Sequence, residues 1–266
     1  MQGADGQSAL IQPGDGEPIT DRHGRTITLL AAHEQISIFS YRLAPGEVGP
    51  QPHVHHRHTD AFYMLEGELT FTGGPELERV SAPAGSLVAA PPNLVHTFAN
   101  DGEGDARFLN IHAPDGGFAA YMRARSRGDE SATFDTAAPP ADGGMARDQA
   151  IVSRPGDGER LVSGNRTVFL KCALRELSLF LFEIDGERGG PGPHAHERQV
   201  DSFYVLDGEL EVMVDGTTHT AGPGTLVSVP VGVRHAFCHP GPGRVSFLNL
   251  HAPDDGFADF LRETTD

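Results

Sequence analysis

The stretch His53-Val54-His55-His56-Arg57-His58-Thr59-Asp60-Ala61-Phe62-Tyr63-Met64-Leu65-Glu66-Gly67 returns later in the chain as His194-Ala195-His196-Glu197-Arg198-Gln199-Val200-Asp201-Ser202-Phe203-Tyr204-Val205-Leu206-Asp207-Gly208. Such a repeat means one folding plan used twice. In each copy two histidines stand at i and i+2, so an extended strand puts both imidazoles on one face. An aspartate follows after four further residues, at the head of an apolar run ending in glycine. This is ligand spacing for β-structure, since the helical His-Glu-x-x-His arrangement separates its histidines by four.

A second segment also repeats. Gly85-Ser86-Leu87-Val88-Ala89-Ala90-Pro91-Pro92-Asn93-Leu94-Val95-His96-Thr97-Phe98-Ala99-Asn100 is matched by Gly224-Thr225-Leu226-Val227-Ser228-Val229-Pro230-Val231-Gly232-Val233-Arg234-His235-Ala236-Phe237-Cys238-His239, and each copy adds one histidine. Together the two segments resemble the paired motifs of the cupin superfamily, G-x5-H-x-H-x3,4-E-x6-G and G-x5-P-x-G-x2-H-x3-N, in its two-domain form, the bicupin. Three positions depart from that pattern: Asp60 and Asp201 stand where the family usually has Glu, Asn93 replaces the turn glycine, and His239 replaces the terminal Asn. Asn93 is a mild change, because Asn tolerates the left-handed turn conformation.

The resemblance implies an all-β chain of two tandem jelly-roll barrels, and the run of short strands with turn signals agrees. Pro-Gly-Asp-Gly-Glu occurs at residues 13–17 and again at 155–159, marking equivalent turns. Residues 26–43 and 167–184 each read as two strands. Short helices are expected at Phe118–Arg125 and Phe257–Arg262. Residues 126–150, with Pro139-Pro140, Gly143-Gly144 and no apolar period, read as a linker. The expected domains are therefore residues 1–125, a linker at 126–150, and residues 151–266.

A net charge of −17 opposes phosphate backbones and anionic membranes, so nucleic acid and membrane are not expected partners. Residues 1–16 lack the basic start and apolar core of a signal peptide, which makes a cytoplasmic location the default expectation. Cys172 and Cys238 read as free, buried thiols. Monomer and homodimer both fit the sequence.

By the resemblance, His53, His55 and His96 in one barrel, and His194, His196 and His235 in the other, each hold one divalent metal ion (Fe, Mn, Ni, Cu or Zn). Three neutral imidazoles leave coordination positions open, as catalytic sites do. Asp60 and Asp201 are candidate catalytic residues, either as a fourth ligand or beside the metal, holding a ligating histidine or a bound water or acting as a base, and the short side chain favours a place beside the metal. Strand parity places Phe62, Met64 and Phe98, and Phe203, Val205 and Phe237, on the faces of the ligands, as an apolar substrate pocket. His56 and His58 read as loop residues, Arg57 and Arg198 as exposed loop arginines, and His112 and His251 as structural hydrogen-bonders.

The implied activity is that of a quercetin-dioxygenase-like bicupin, in which the metal binds an enolisable or aromatic small molecule for attack by O2. Two alternatives stand beside it: a metal-dependent isomerase or polyketide cyclase without redox chemistry, and a non-enzymatic small-molecule binding cupin. Fold likeness does not choose among them.

Overall fold

The computed structural model describes residues 6–140 and 149–264. Strands dominate, as expected, and the two helices, Phe118–Ser126 and Phe257–Glu263, end within a residue of their expected positions. Each half folds as a barrel of one large and one small antiparallel sheet.

In the first barrel the large sheet runs Ile151–Ser153, Leu87–Ala90, Thr59–Glu66, Ala106–Ala113, Ile36–Leu43, Arg25–His33 and Glu17–Arg22 in hydrogen-bonded order. The small sheet runs Glu78–Pro83, Glu68–Gly73 and His96–Ala99. The second barrel repeats the plan with Ala9–Ile11, Leu226–Val229, Val200–Asp207, Arg244–Ala252, Ser178–Asp185, Arg166–Ala173 and Glu159–Ser163. Its small sheet contains Arg188–Gly189, His235–His239, Leu210–Val214 and Thr217–Ala221.

The compact units divide at different places from the expected domains. One is Glu17–Pro155, and the other joins Met1–Gly16 to Gly156–Asp266. The cause is visible in the strand order. Ala9–Ile11 precedes the first barrel in sequence yet pairs with Leu226–Val229, while Ile151–Ser153 pairs with Leu87–Ala90. The repeated Pro-Gly-Asp-Gly-Glu marks the crossing point in both copies. Residues 126–140, expected as linker, lie within the first unit, and residues 141–148 lie outside the described residues.

Both family departures in the second motif keep their structural job. Asn93 and Gly232 take left-handed φ of 68° and 79°, and their N–H groups donate to the carbonyls of His55 and His196 at 2.6 and 2.8 Å. Asn100 donates its amide to the carbonyls of Leu43 and Gly104, and the ring nitrogens of His239 lie 2.9 and 3.0 Å from the carbonyls of Glu209 and Gly243, so both side chains engage the equivalent Gly104 and Gly243 turn. Both cysteines are free, Cys172 buried and Cys238 half-buried, and burial pushes the Cys172 thiol up to about 12.

The apolar side chains of the strands fill each barrel. Phe62, Met64, Phe71 and Phe108 are fully buried in the first, and Phe203, Val205, Phe247 and Val212 in the second. The expected parity is correct, but parity is not depth. Each two-residue step along a strand travels about 6.6 Å, so Phe62 and Met64, and likewise Phe203 and Val205, lie progressively below the level of Asp60 and Asp201. These four side chains are core rather than pocket wall.

Candidate metal centres

The two motifs are stitched together at their histidines. His53 and His96 exchange backbone hydrogen bonds of 3.1 and 2.9 Å, and His194 and His235 exchange bonds of 2.9 and 2.8 Å. This pairing brings the three imidazoles of each barrel onto one point. Asp60 and Asp201 enter from the large sheet, opposite His112 and His251 respectively in the register. The result is two groups, His53-His55-Asp60-His96 and His194-His196-Asp201-His235, each with one ligand atom per residue and all such atoms within 4.8 Å of one another.

Hydrogen bonds fix which ring nitrogen faces inward. The Nδ1 atoms of His53, His55 and His96 lie 2.9, 2.6 and 3.0 Å from the carbonyls of Gln51, Asp135 and Leu94. A carbonyl only accepts, so each Nδ1 carries the proton and each Nε2 presents a lone pair. In the second barrel, Gly192 and Val233 hold His194 and His235 in the same way, at 3.0 Å each. Carbonyl-anchored imidazoles of this kind are how proteins orient metal ligands.

The carboxylate then creates a conflict that a cation resolves. Asp60 Oδ2 lies 3.2 Å from His96 Nε2 and 3.9 Å from His55 Nε2; Asp201 Oδ2 lies 3.1 Å from His235 Nε2 and 3.6 Å from His196 Nε2. His55 Nε2 and His196 Nε2 are buried without a hydrogen-bond partner among the described residues. Lone pairs facing a carboxylate in a buried site repel unless a proton or metal ion stands between them. The donor set, three imidazole nitrogens and one carboxylate oxygen, suits a divalent first-row metal.

The other carboxylate oxygen is already engaged. Asn110 Nδ2 donates to Asp60 Oδ1 at 2.5 Å, and Asn249 Nδ2 donates to Asp201 Oδ1 at 2.5 Å. His112 and His251 Nε2 lie 3.5 and 3.3 Å from the same oxygens. Sequence reasoning missed both asparagines; their recurrence two residues before His112 and His251, on the same strand face, was the available signal. Despite its missing methylene, the aspartate reaches the imidazoles.

His58 lies in the loop before the strand, as expected, but faces inward. It is fully buried, its Nε2 lies 2.9 Å from His112 Nδ1, and Asp135 Oδ2 lies 3.0 Å from its Nδ1. In the second barrel Gln199 takes its place, with Nε2 2.9 Å from His251 Nδ1. His56 and the side chains of Arg57 and Arg198 are exposed.

Each centre opens into a cavity. The first, of about 620 Å³, is walled by Tyr41, Phe98, Phe118, Tyr121 and Phe134, with Arg25 also lining it. The second, of about 590 Å³, is walled by Phe182, Phe237, Phe257, Phe260 and Leu261, with Arg166 also lining it. Of the six expected pocket residues, Phe98 and Phe237 line these cavities.

Burial lowers His53 to about 4 and His55 further, with neighbouring histidines adding to the effect, so both imidazoles are neutral near pH 7. Burial also lowers His58, His112 and His194. Burial pushes His235 down, but the hydrogen bond and charge of Asp201 outweigh it and raise this group. Asp201 is pushed up by burial and held well below the usual carboxylate range by His251, His196 and His235. A histidine depressed in the fold binds fewer protons folded than unfolded, so the stability it contributes is lost as pH falls below the unfolded value. Chelated protein is therefore expected to melt at progressively lower temperature as pH falls from 6.5 toward about 4, with the first barrel leading. Calorimetry across that window checks this, and a flat Tm contradicts it.

Comparison with known proteins agrees with this geometry. The family model described as Cupin domain matches residues 39–112 and again 180–251. A curated relative, quercetin 2,3-dioxygenase from Bacillus subtilis (strain 168), is 32% identical over 88 residues, which is 32% of this chain and 26% of that protein. Among solved structures, oxalate decarboxylase from Lactobacillus farciminis, in a formate complex, superposes with a TM-score of 0.65 at 15% identity, covering 95% of this chain and 88% of that one. A putative glyoxylate-induced protein from Pseudomonas aeruginosa gives 0.64 at 17% identity, covering 92% and 87%. At these identities the structural likeness speaks to the fold. Matched by the family model in both halves, with two barrels that each converge three histidines and a carboxylate, the chain belongs to the cupin family.

Proposed function

We propose that each barrel binds one divalent metal ion through its three histidines and its aspartate, and that the protein is a dioxygenase acting on an enolisable aromatic small molecule. The observation that carries the substrate class is the first cavity: about 620 Å³, with five Phe and Tyr side chains in its wall, and ending at the His53-His55-Asp60-His96 group. That volume suits a body of drug-like size rather than a two-carbon diacid. The partial match to quercetin 2,3-dioxygenase supports the same reading. A redox-active ion, when bound, would supply Lewis-acid activation of a substrate oxygen and a route for dioxygen chemistry.

The chain's own side chains orient the substrate. Phe118, which stacks on His112, together with Tyr121 and Phe134 gives an aromatic wall for a planar body to pack against and exclude water. Burial, with the nearby Asp60 charge, raises the Tyr41 phenol well above its usual range, so it remains a donor. Arg25 holds Glu47 at 3.0 Å, while its Nε is buried without a hydrogen-bond partner among the described residues. A hydroxylated or carboxylated ring satisfies both groups. By register Phe182 stands at the position of Tyr41, and Phe260 stands at that of Tyr121 in the second helix, so the second cavity favours a less oxygenated ligand.

With a panel of enolisable aromatics that includes flavonols, an oxygen electrode is expected to record O2 uptake matching substrate loss, abolished by chelation. Turnover under strict anaerobiosis would overturn the dioxygenase in favour of the isomerase or cyclase. Saturable binding with no turnover would leave a binding protein.

A further inference from the structure

We propose that Asp135, with the segment carrying it, is a positioning clamp built onto the first metal centre, and that it makes the first site the tighter of the two. This rests on the metal reading above. The residue is buried, and its carbonyl and carboxylate both face the first histidine motif. Its backbone carbonyl accepts from His55 Nδ1 at 2.6 Å. Its carboxylate accepts from the backbone N–H of His56 at 3.3 Å and of Arg57 at 2.7 Å, and lies 3.0 Å from His58 Nδ1. Four consecutive residues of the ligand loop are thus tied to one aspartate that lies 77 to 80 positions away in sequence.

The clamp is itself anchored. Val54 and Ala137 exchange two backbone hydrogen bonds of 3.0 Å each, and the N–H of Asp135 donates to Gly116 at 3.3 Å. Phe134 packs its ring 4.5 Å from Tyr121, 5.0 Å from Phe118 and 5.6 Å from His55. These contacts fix the rotamer and tautomer of His55 before any ion arrives, so its side-chain freedom need not be lost on binding.

His196, the equivalent ligand, lacks this support among the described residues. No carbonyl holds its Nδ1, and its side chain is 23% exposed where that of His55 is 2%. Loss of an outer hydrogen-bond partner typically weakens metal binding by about 10- to 100-fold. The two centres are therefore unequal although their donor sets are the same.

Titration of the metal-free full chain with Zn2+ against a chromogenic chelator tests this. Two separate binding steps are expected, the tighter one abolished by His53→Ala and so assigned to the first barrel. Asp135→Ala, which keeps the backbone carbonyl on His55 but removes the carboxylate that ties His56, Arg57 and His58, should weaken that step by about 10-fold and leave the other unmoved, while Asp135→Asn, which retains an acceptor oxygen for those N–H groups, should fall between. The untouched second site controls for protein concentration, and circular dichroism and thermal melting of each variant check that the first barrel is folded. Equal sites in the unaltered protein, an unmoved tight step in Asp135→Ala, or equal weakening of both steps each overturns the clamp while leaving the metal reading intact. Binding at neither site overturns both.

Discussion

Replacing His53 and His55 together by alanine is expected to remove one of two metal equivalents and leave the second in place. The variant keeps only His96 and Asp60 of the first donor set. Four-donor sites bind with roughly 10–16 kcal/mol, so each donor is worth roughly 3 kcal/mol, and losing two raises Kd by roughly four orders of magnitude. The fold should survive, because His53 and His96 are joined through backbone atoms that alanine retains. Elemental analysis of variant and parent, loaded side by side and checked by circular dichroism, reads the result. Unchanged stoichiometry would mean that these residues do not form the site.

The aspartates carry the second large effect. Asp60→Asn and Asp201→Asn are each expected to weaken metal binding in their own barrel by at least about 100-fold, since the variant removes the one formal negative charge among the four donors. Geometry supports a ligand role: Asn110 and Asn249 occupy Oδ1, and Oδ2 is left facing the imidazoles. The amide makes matters worse, because an NH2 turned inward would donate to an Nε2 lone pair that the ion needs, and turned outward would face the NH2 of Asn110 or Asn249. Site-resolved affinity and turnover measured together decide the role. A variant that retains its metal and loses rate would place the aspartate beside the metal, which is the place its short side chain favours on sequence grounds.

Much of this centre is legible in the sequence because the chain writes it twice. Histidines at i and i+2 with a trailing aspartate mean little once; recurring with a matching downstream histidine, they locate eight donors that the fold brings into two groups. What the repeat does not carry is what differs between the halves. Asp135 is one acidic residue among 37, in a Pro- and Gly-rich stretch with no recognisable counterpart, and only tertiary packing shows what it touches. His58 was hidden for the same reason, although its two-residue spacing from Asp60 already places it on the inward face. Depth within a barrel is equally invisible to parity, which is why Phe62, Met64, Phe203 and Val205 pattern as pocket and pack as core. The exchanged edge strands, Ala9–Ile11 and Ile151–Ser153, are too short to reveal their partners.

The central claim is that each barrel holds one metal ion through three imidazole nitrogens and one carboxylate oxygen. X-ray absorption at the metal edge, on protein reconstituted from the metal-free form and freed of excess ion, tests it together with the metal-to-protein ratio. The account predicts two ions per chain, with nearest scatterers of three imidazole nitrogens and at least one oxygen. Folded protein that retains no ion, or an ion whose spectrum lacks imidazole scattering, would contradict it.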